Sequence, residues 1–280
     1  MKTQIVLSGD MKGLLISLAF GYLMLCILLF VMQRKFIYFP QGVDPQAPLS
    51  SAEAIEIKLN HIRLSGWVVN PERDKAIIYY GGNAENIEYN IEFFKQVLPH
   101  YSVYLIPYRG YGRNSGSPSE KNLYQDALAV FDLLSKKHLD ISLMGRSLGS
   151  AVALQVAANR EVDKLILVTP FDSVENIAKE VYWMFPVSWI LRDKYRALDN
   201  LKRVTSPVLL LIAAEDKLIP RHRTDFLINE ASQQDLHTVV ISAADHNDIS
   251  FYDDYVVAIS RFMDMNLWAI PNIQKQNFHY

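Results

Sequence analysis

Hydrophobic and polar positions follow two regimes along the chain. From Gly13 to Met32 the chain reads GLLISLAFGYLMLCILLFVM, twenty residues without a charge. As an α-helix this run spans about 30 Å, the hydrocarbon thickness of a bilayer. Lys12 precedes it, Arg34 and Lys35 follow it, and Tyr38 and Phe39 stand where an interfacial aromatic belt is placed. A cleaved signal peptide would have a shorter apolar core and a small-x-small cleavage site, whereas Gln33-Arg34-Lys35-Phe36 comes next. A buried core helix would carry a polar face. The pattern predicts a membrane anchor over residues 1–35, with one transmembrane helix at about 13–32.

Residues 40–50 hold three prolines and read as a linker. Beyond them, short apolar runs alternate with helically spaced segments. Ile55–Leu59 and Leu64–Val69 are β-rich and suit an antiparallel start. Ala76–Tyr80, Val103–Pro107, Ile141–Met144, Leu165–Val168, Val208–Ala213 and Thr238–Ile241 read as strands. Ile87–Leu98, Leu123–Leu134, Leu148–Ala158, Thr224–Glu230 and Tyr252–Met263 read as helices. Continuous apolar runs such as Val208–Ala213 are expected of strands buried on both faces, and the alternation predicts an α/β fold with a mostly parallel sheet covered on both sides.

Composition narrows the function. Half of the 280 residues are apolar and 21% are charged, which excludes a disordered chain. The single cysteine, Cys26, lies inside the apolar run, so no disulfide framework forms within the chain. The net charge of −2 offers no basic field for nucleic acid. It divides into a basic anchor and a 245-residue remainder, 36–280, with net charge −5. The positive-inside rule leans toward a cytoplasmic C-terminal domain on a single-pass anchor.

The chemistry falls at strand ends. Gly145-Arg146-Ser147-Leu148-Gly149 fits G-x-S-x-G, which alone is a weak signal. Its place after one predicted strand and before a helix is the setting of a nucleophile elbow, in which the serine projects from a tight turn. The alternative is a plain strand-to-helix turn capped by Ser147. A nucleophilic serine needs a base, and the base an orienting carboxylate. Asp216 follows the strand Val208–Ala213 and His246 follows Thr238–Ile241, at the edge where open α/β sheets place their ligands. Glu215, Asp245 and Asp248 compete as acids. His222 and His237 compete as bases, although His237 precedes its predicted strand and belongs to the opposite edge. An oxyanion hole would draw on the Leu148 amide, at a helix N-terminus, and on a second amide from the loop Gly81-Gly82-Asn83-Ala84. Asn83 is the chosen donor, Ala84 its neighbour; the bland reading is a glycine turn before a helix capped by Asn86.

These segments carry a resemblance. The chain resembles an α/β-hydrolase, in the small branch with a single membrane anchor. The matching stretches are Met32 to Pro40, Gly82-Asn83-Ala84-Glu85-Asn86-Ile87, Tyr108-Arg109-Gly110-Tyr111-Gly112 with Ser115-Gly116 and Pro118-Ser119-Glu120, the Ser147 pentapeptide, Glu215-Asp216 with Ile219-Pro220, and Asp245-His246-Asn247-Asp248. The resemblance implies Ser147 as nucleophile, Asp216 as acid and His246 as base. It departs at Gly81, where the family often has His, and at Pro107, where Asp often precedes Tyr-Arg-Gly. It also implies a short helical cap in the insertion at about 171–206. That insertion is rich in Tyr182, Trp183, Met184, Phe185, Pro186, Trp189, Ile190 and Leu191. An apolar cap beside an anchor points to an acyl or otherwise apolar small-molecule substrate; the equal alternative is that these residues seal the cap's own core. The expected activity is ester or thioester hydrolysis through an acyl-enzyme, with no metal or organic cofactor. A serine peptidase of the same fold and a non-catalytic, membrane-tethered interaction module are the alternatives.

Overall fold

The computed structural model describes residues 9–47, 49–59, 62–231 and 235–264. The chain opens with helix α1 (Gly9–Ile37). Its eighteen most apolar residues have no buried face, and the segment Asp10–Ile37 is long and apolar enough to cross a membrane. The helix overruns the apolar limit at Met32, because Gln33, Arg34 and Lys35 are good helix formers and charge does not end a helix.

The body is an eight-stranded sheet: β1 (Glu53–Lys58), β2 (Arg63–Val69), β3 (Lys75–Tyr80), β4 (Tyr101–Leu105), β5 (Asp140–Arg146), β6 (Leu165–Val168), β7 (Val208–Ala213) and β8 (Leu236–Ile241). Their spatial order is β1-β2-β4-β3-β5-β6-β7-β8. The β1–β2 pair and the β2–β4 pair are antiparallel, and every later pair is parallel. Strands β4, β6 and β7 are buried at every residue, which explains their unbroken apolar runs. Edge strand β8 instead mixes exposed and half-buried residues.

Helices cover both faces. On one side lie α3 (Glu120–Leu134) and α4 (Leu148–Ala157); on the other lie α2 (Ile91–Val97) and α9 (Asp253–Asp264). Nine of the ten residues of α4 are buried, so its small side chains (Gly149, Ser150, Ala151, Ala153) let it lie close against β5. Between β6 and β7 come α5 (Val174–Val181), α6 (Val187–Ile190) and α7 (Ala197–Leu201); α8 (Arg221–Glu230) precedes β8. Buried Ala197 and Leu201 of α7 belong to the same core as α4, so only α5 and α6 form the exposed part of the insertion.

The stretch expected to be a linker is fastened down. Phe39 N donates to Asn83 O at 3.1 Å, Gly112 N to Gln41 O at 2.7 Å, and Tyr89 Oη to Asp44 Oδ2 at 2.5 Å. Further along, the chain bonds to itself, Gln46 N to Asp44 Oδ1 at 2.8 Å and Ala47 N to Asp44 O at 3.1 Å.

Candidate active site

The C-terminal ends of β3, β5, β7 and β8 converge, and each delivers one part of the site. β5 runs directly into α4 through Ser147, which has φ 51 and ψ −116. A non-glycine residue with positive φ is held there only by its surroundings. Ser147 N donates to Val168 O at 2.9 Å, and Ser147 O accepts from Ser150 N at 2.9 Å and Ser150 Oγ at 2.6 Å. Ser147 occupies the N-cap position of α4 yet its side chain makes no capping bond, contrary to a plain capped turn. The flanking glycines are compulsory. A Cβ on Gly145 would stand 2.2 Å from Gly149 O, and one on Gly149 would stand 1.9 Å from Tyr80 O.

Asp216 and His246 meet. His246 Nδ1 lies 2.7 Å from Asp216 Oδ2, with side chains 5% and 8% exposed. Asp216 Oδ1 accepts from Leu218 N at 2.8 Å and Ile219 N at 2.7 Å. The carboxylate is therefore fixed by its own loop, and with Nδ1 engaged the imidazole has Nε2 left for the serine side. Among the described hydrogen bonds none joins Ser147 Oγ to His246; such contacts commonly tighten only with substrate bound. The two loops are tied one residue away: Arg146 Nη2 donates to His246 O at 3.2 Å and to Asn247 O at 2.9 Å.

The rival residues have other occupations. Glu215 is exposed. Asp245 pairs with Lys217 at 3.2 Å and accepts from His246 N at 2.7 Å, and Asp248 Oδ1 accepts from Asp245 N at 2.7 Å. Both shape the His246 turn without touching the imidazole. His222, on α8, lies 2.9 Å from Glu180 of α5. His237 pairs in register with Leu209, near the starts of β8 and β7, and packs on Phe262 at the opposite edge.

The loop after β3 is held from several sides. Gly82 N donates to Glu85 Oε2 at 2.7 Å, while Glu85 Oε1 accepts from Tyr79 Oη and Asn90 Nδ2, each at 2.7 Å. Tyr108 Oη donates to Gly81 O at 2.9 Å and Tyr111 Oη to Asn83 O at 2.7 Å. Asn83 Nδ2 donates to Ile37 O at 3.0 Å. Among the described residues no group accepts from the Asn83 or Leu148 amides, so both N–H groups remain available. Asn86 makes no capping bond. The Tyr108–Gly112 loop thus props the Asn83 loop, and Arg109 locks the prop by a bidentate pair with Asp126, Nε–Oδ2 2.7 Å and Nη2–Oδ1 2.5 Å.

Sequence reasoning missed Arg146 and Glu85 as site residues. Arg146 fills a variable position of G-x-S-x-G, and Glu85 stood only as part of a loop. Their side chains are both largely buried, with Nη1–Oε1 3.8 Å apart. Burial is the largest influence on Arg146 and opposes its charge, but Glu85, Tyr79 and Tyr255 together outweigh it and raise the guanidinium pKa. A cation at the end of β5 and an anion on the loop after β3 meet only in the folded chain, so the sequence carried no signal for the pair.

The insertion departs from one expectation for its aromatics, that they seal the cap's own core. Trp183 is 77% and Trp189 89% exposed, and Phe185 stacks on Tyr22 of α1 with ring centroids 5.7 Å apart. Trp183 and Trp189 close no private core, and Phe185 turns toward α1.

Comparison with known proteins agrees with this architecture. The family model described as the alpha/beta hydrolase fold matches residues 75–189. An uncharacterized protein of Mycobacterium tuberculosis strain H37Rv is 33% identical over 248 residues, covering 82% of this chain and 87% of that protein. Human alpha/beta hydrolase domain-containing protein 17B is 26% identical over 250 residues, covering 84% of each. A solved Pyrococcus furiosus esterase superposes with a TM-score of 0.67 at 18% identity, covering 81% of this chain and 98% of that one. The chain belongs to the alpha/beta hydrolase superfamily.

Proposed function

We propose that this chain is a membrane-anchored serine hydrolase that cleaves carboxylic ester or thioester bonds of acyl or otherwise apolar substrates. The observation that carries the reading is the Asp216–His246 pair at 2.7 Å beside Ser147, which sits at φ 51 on a strand–turn–helix. Ser147 Oγ attacks the substrate carbonyl while His246 Nε2 takes its proton. Asp216 keeps Nδ1 protonated and stabilises the imidazolium. The amides of Asn83 and Leu148 receive the oxyanion, the latter aided by the N-terminal dipole of α4. His246 then returns the proton to the leaving group and later activates water, which releases the acid from the acyl-enzyme. Helix α1 anchors the enzyme as a single pass, with residues 36–280 as the catalytic domain.

The test is labelling by a fluorophosphonate probe together with hydrolysis of an acyl-ester chain-length series and a peptide panel. Wild type should label and turn over esters, and Ser147→Ala should do neither. Equal labelling of both proteins overturns the assignment. Peptide but not ester turnover selects a peptidase, and no labelling or turnover of any kind selects an interaction module. Protease protection in sealed vesicles reads which side the domain occupies.

A further inference from the structure

A groove of about 260 Å³ lies between the second half of α1 and the insertion. Leu29 and Phe36 of α1 form one wall; Ile177 and Val181 of α5, with Val187 and Leu191, form the other. No charged side chain lines it. Gln33 lines it too, but its amide is consumed: Nε2 donates to Phe30 O at 2.7 Å and Ile190 O at 3.0 Å, and Oε1 accepts from Arg192 N at 2.6 Å. Tyr182 adds the one other polar side chain of the lining and is 39% exposed, so its hydroxyl can meet water, and the rest of the surface suits hydrocarbon rather than a charged head group. The volume is just below the range of about 300–1,000 Å³ usual for whole small-molecule sites.

The position of the groove says what fills it. The insertion grips α1 at two levels. Gln33 holds Ile190 and Arg192, and further into the helix Tyr22 Oη donates to Met184 O at 2.8 Å. Those levels are eleven residues apart, about 16 Å along the helix axis. That is roughly half of a hydrocarbon layer of about 30 Å. With residues 13–32 spanning the bilayer, the tip of the insertion enters the near leaflet alongside the helix. Exposed Trp183, Met184 and Trp189 then meet lipid instead of water. Arg192, whose guanidinium stacks 3.9 Å from the Phe30 ring, lies within one turn of Arg34, near the head groups.

We propose that this groove binds one acyl chain of a bilayer lipid, entering sideways from the leaflet into which the α5–α6 tip is inserted. The proposal rests on the membrane anchoring advanced above and not on the serine chemistry. It is tested with the full chain in phosphatidylcholine vesicles doped with phosphatidylcholine bearing a photoreactive diazirine in one acyl chain. A parallel sample carries the diazirine on the head group. After irradiation, mass spectrometry should place the acyl label on Ile177, Val181 and Leu191, and on exposed Leu18 and Val31 of α1. The head-group probe should leave the groove unlabelled. Val181→Trp, a change at an exposed rim position, and Ala178→Phe, inside the groove, should each reduce groove labelling at least fivefold relative to Leu18 and Val31. Ser147→Ala should leave it unchanged.

Label on Leu18 and Val31 with none in the groove overturns the acyl site. So do equal labelling by the head-group probe and groove cross-links to a second copy of the chain. Absence of label on Leu18 and Val31 as well overturns the anchoring itself. Failure of the serine mechanism is read separately by the fluorophosphonate probe.

Discussion

Arg146→Met offers a direct test of how the site is held. The guanidinium donates to the carbonyls of His246 and Asn247, at 3.2 Å and 2.9 Å, from the residue next to the proposed nucleophile. Methionine keeps the packing volume and removes both bonds. A hydrogen bond from a charged donor contributes about 1.5–3 kcal/mol. The two share one nitrogen and so are not additive, and a combined loss of about 2 kcal/mol is expected. If this loss appears in the transition state it lowers kcat about 30-fold. Glu85 keeps its bonds from Gly82 N, Tyr79 Oη and Asn90 Nδ2, so the oxyanion loop should stay in place and KM should change little. The assay is steady-state hydrolysis of a short acyl ester, alongside thermal unfolding. A kcat within twofold of wild type would refute the reasoning. A loss confined to KM or to stability would refute it equally, because a tether acting on His246 must act on the chemical step.

Other expected outcomes follow from single contacts. Asp216→Asn retains the acceptor for Leu218 N and Ile219 N, so folding should be near normal while kcat falls about 10⁴-fold through the wrong imidazole tautomer; a loss under tenfold would remove Asp216 from the mechanism. Gly149→Ala drives a Cβ to within 1.9 Å of Tyr80 O, a backbone atom that cannot step aside, and chemical denaturation should show a loss of about 3 kcal/mol or more. Glu175 is buried, which opposes its charge, but Arg196, Ser188 and Lys179 hold its pKa down at about 2. Its unfolded value is about 4.3, so its stabilisation is complete above about pH 5 and disappears as pH falls through 2. Unfolding midpoints of Glu175→Gln measured from pH 7 to pH 2 should decline less steeply than wild type in the acid range.

What was legible in the sequence depended on whether position alone carried the information. Leu165–Val168 and Val208–Ala213 announced buried parallel strands, because apolar runs of four to six residues are too short for helices and suit strands covered on both faces. The placement of Ser147, Asp216 and His246 at one edge of the sheet was legible because each follows a strand end and parallel strands bring those ends to the same side. Arg146 and Glu85 were not, since their importance lies in meeting each other across two loops. Residues 40–50 read as a linker because proline marks irregular backbone without saying what that backbone rests upon. The aromatics of the insertion misled for a related reason. Apolar side chains are assigned to a core by default, but Trp183 and Trp189 are exposed beside a helix that can itself cross a membrane.

That helix is not joined to the body by a tether. Buried Asp193 accepts from Arg34 Nε at 2.9 Å and from Tyr38 Oη at 3.1 Å, and Tyr38 Oη lies 2.7 Å from Tyr195 Oη. One residue to either side, Ile37 O and Phe39 N both bond to Asn83, the residue proposed to donate to the oxyanion. A boundary drawn at residue 35 on composition therefore cuts through a packed joint. The end of the hydrophobic helix is fastened to the insertion by Arg34 and Tyr38 and to the oxyanion loop by the next backbone groups. Rigid connections of this kind fix the active-site opening relative to the helix axis, whereas a flexible linker would let the domain tumble above the surface. Under the proposed function, in which the substrate is an apolar chain held in a bilayer, such a fixed pose replaces an orientational search with a built-in approach, and it places the demand for precision on a few side chains at the helix end.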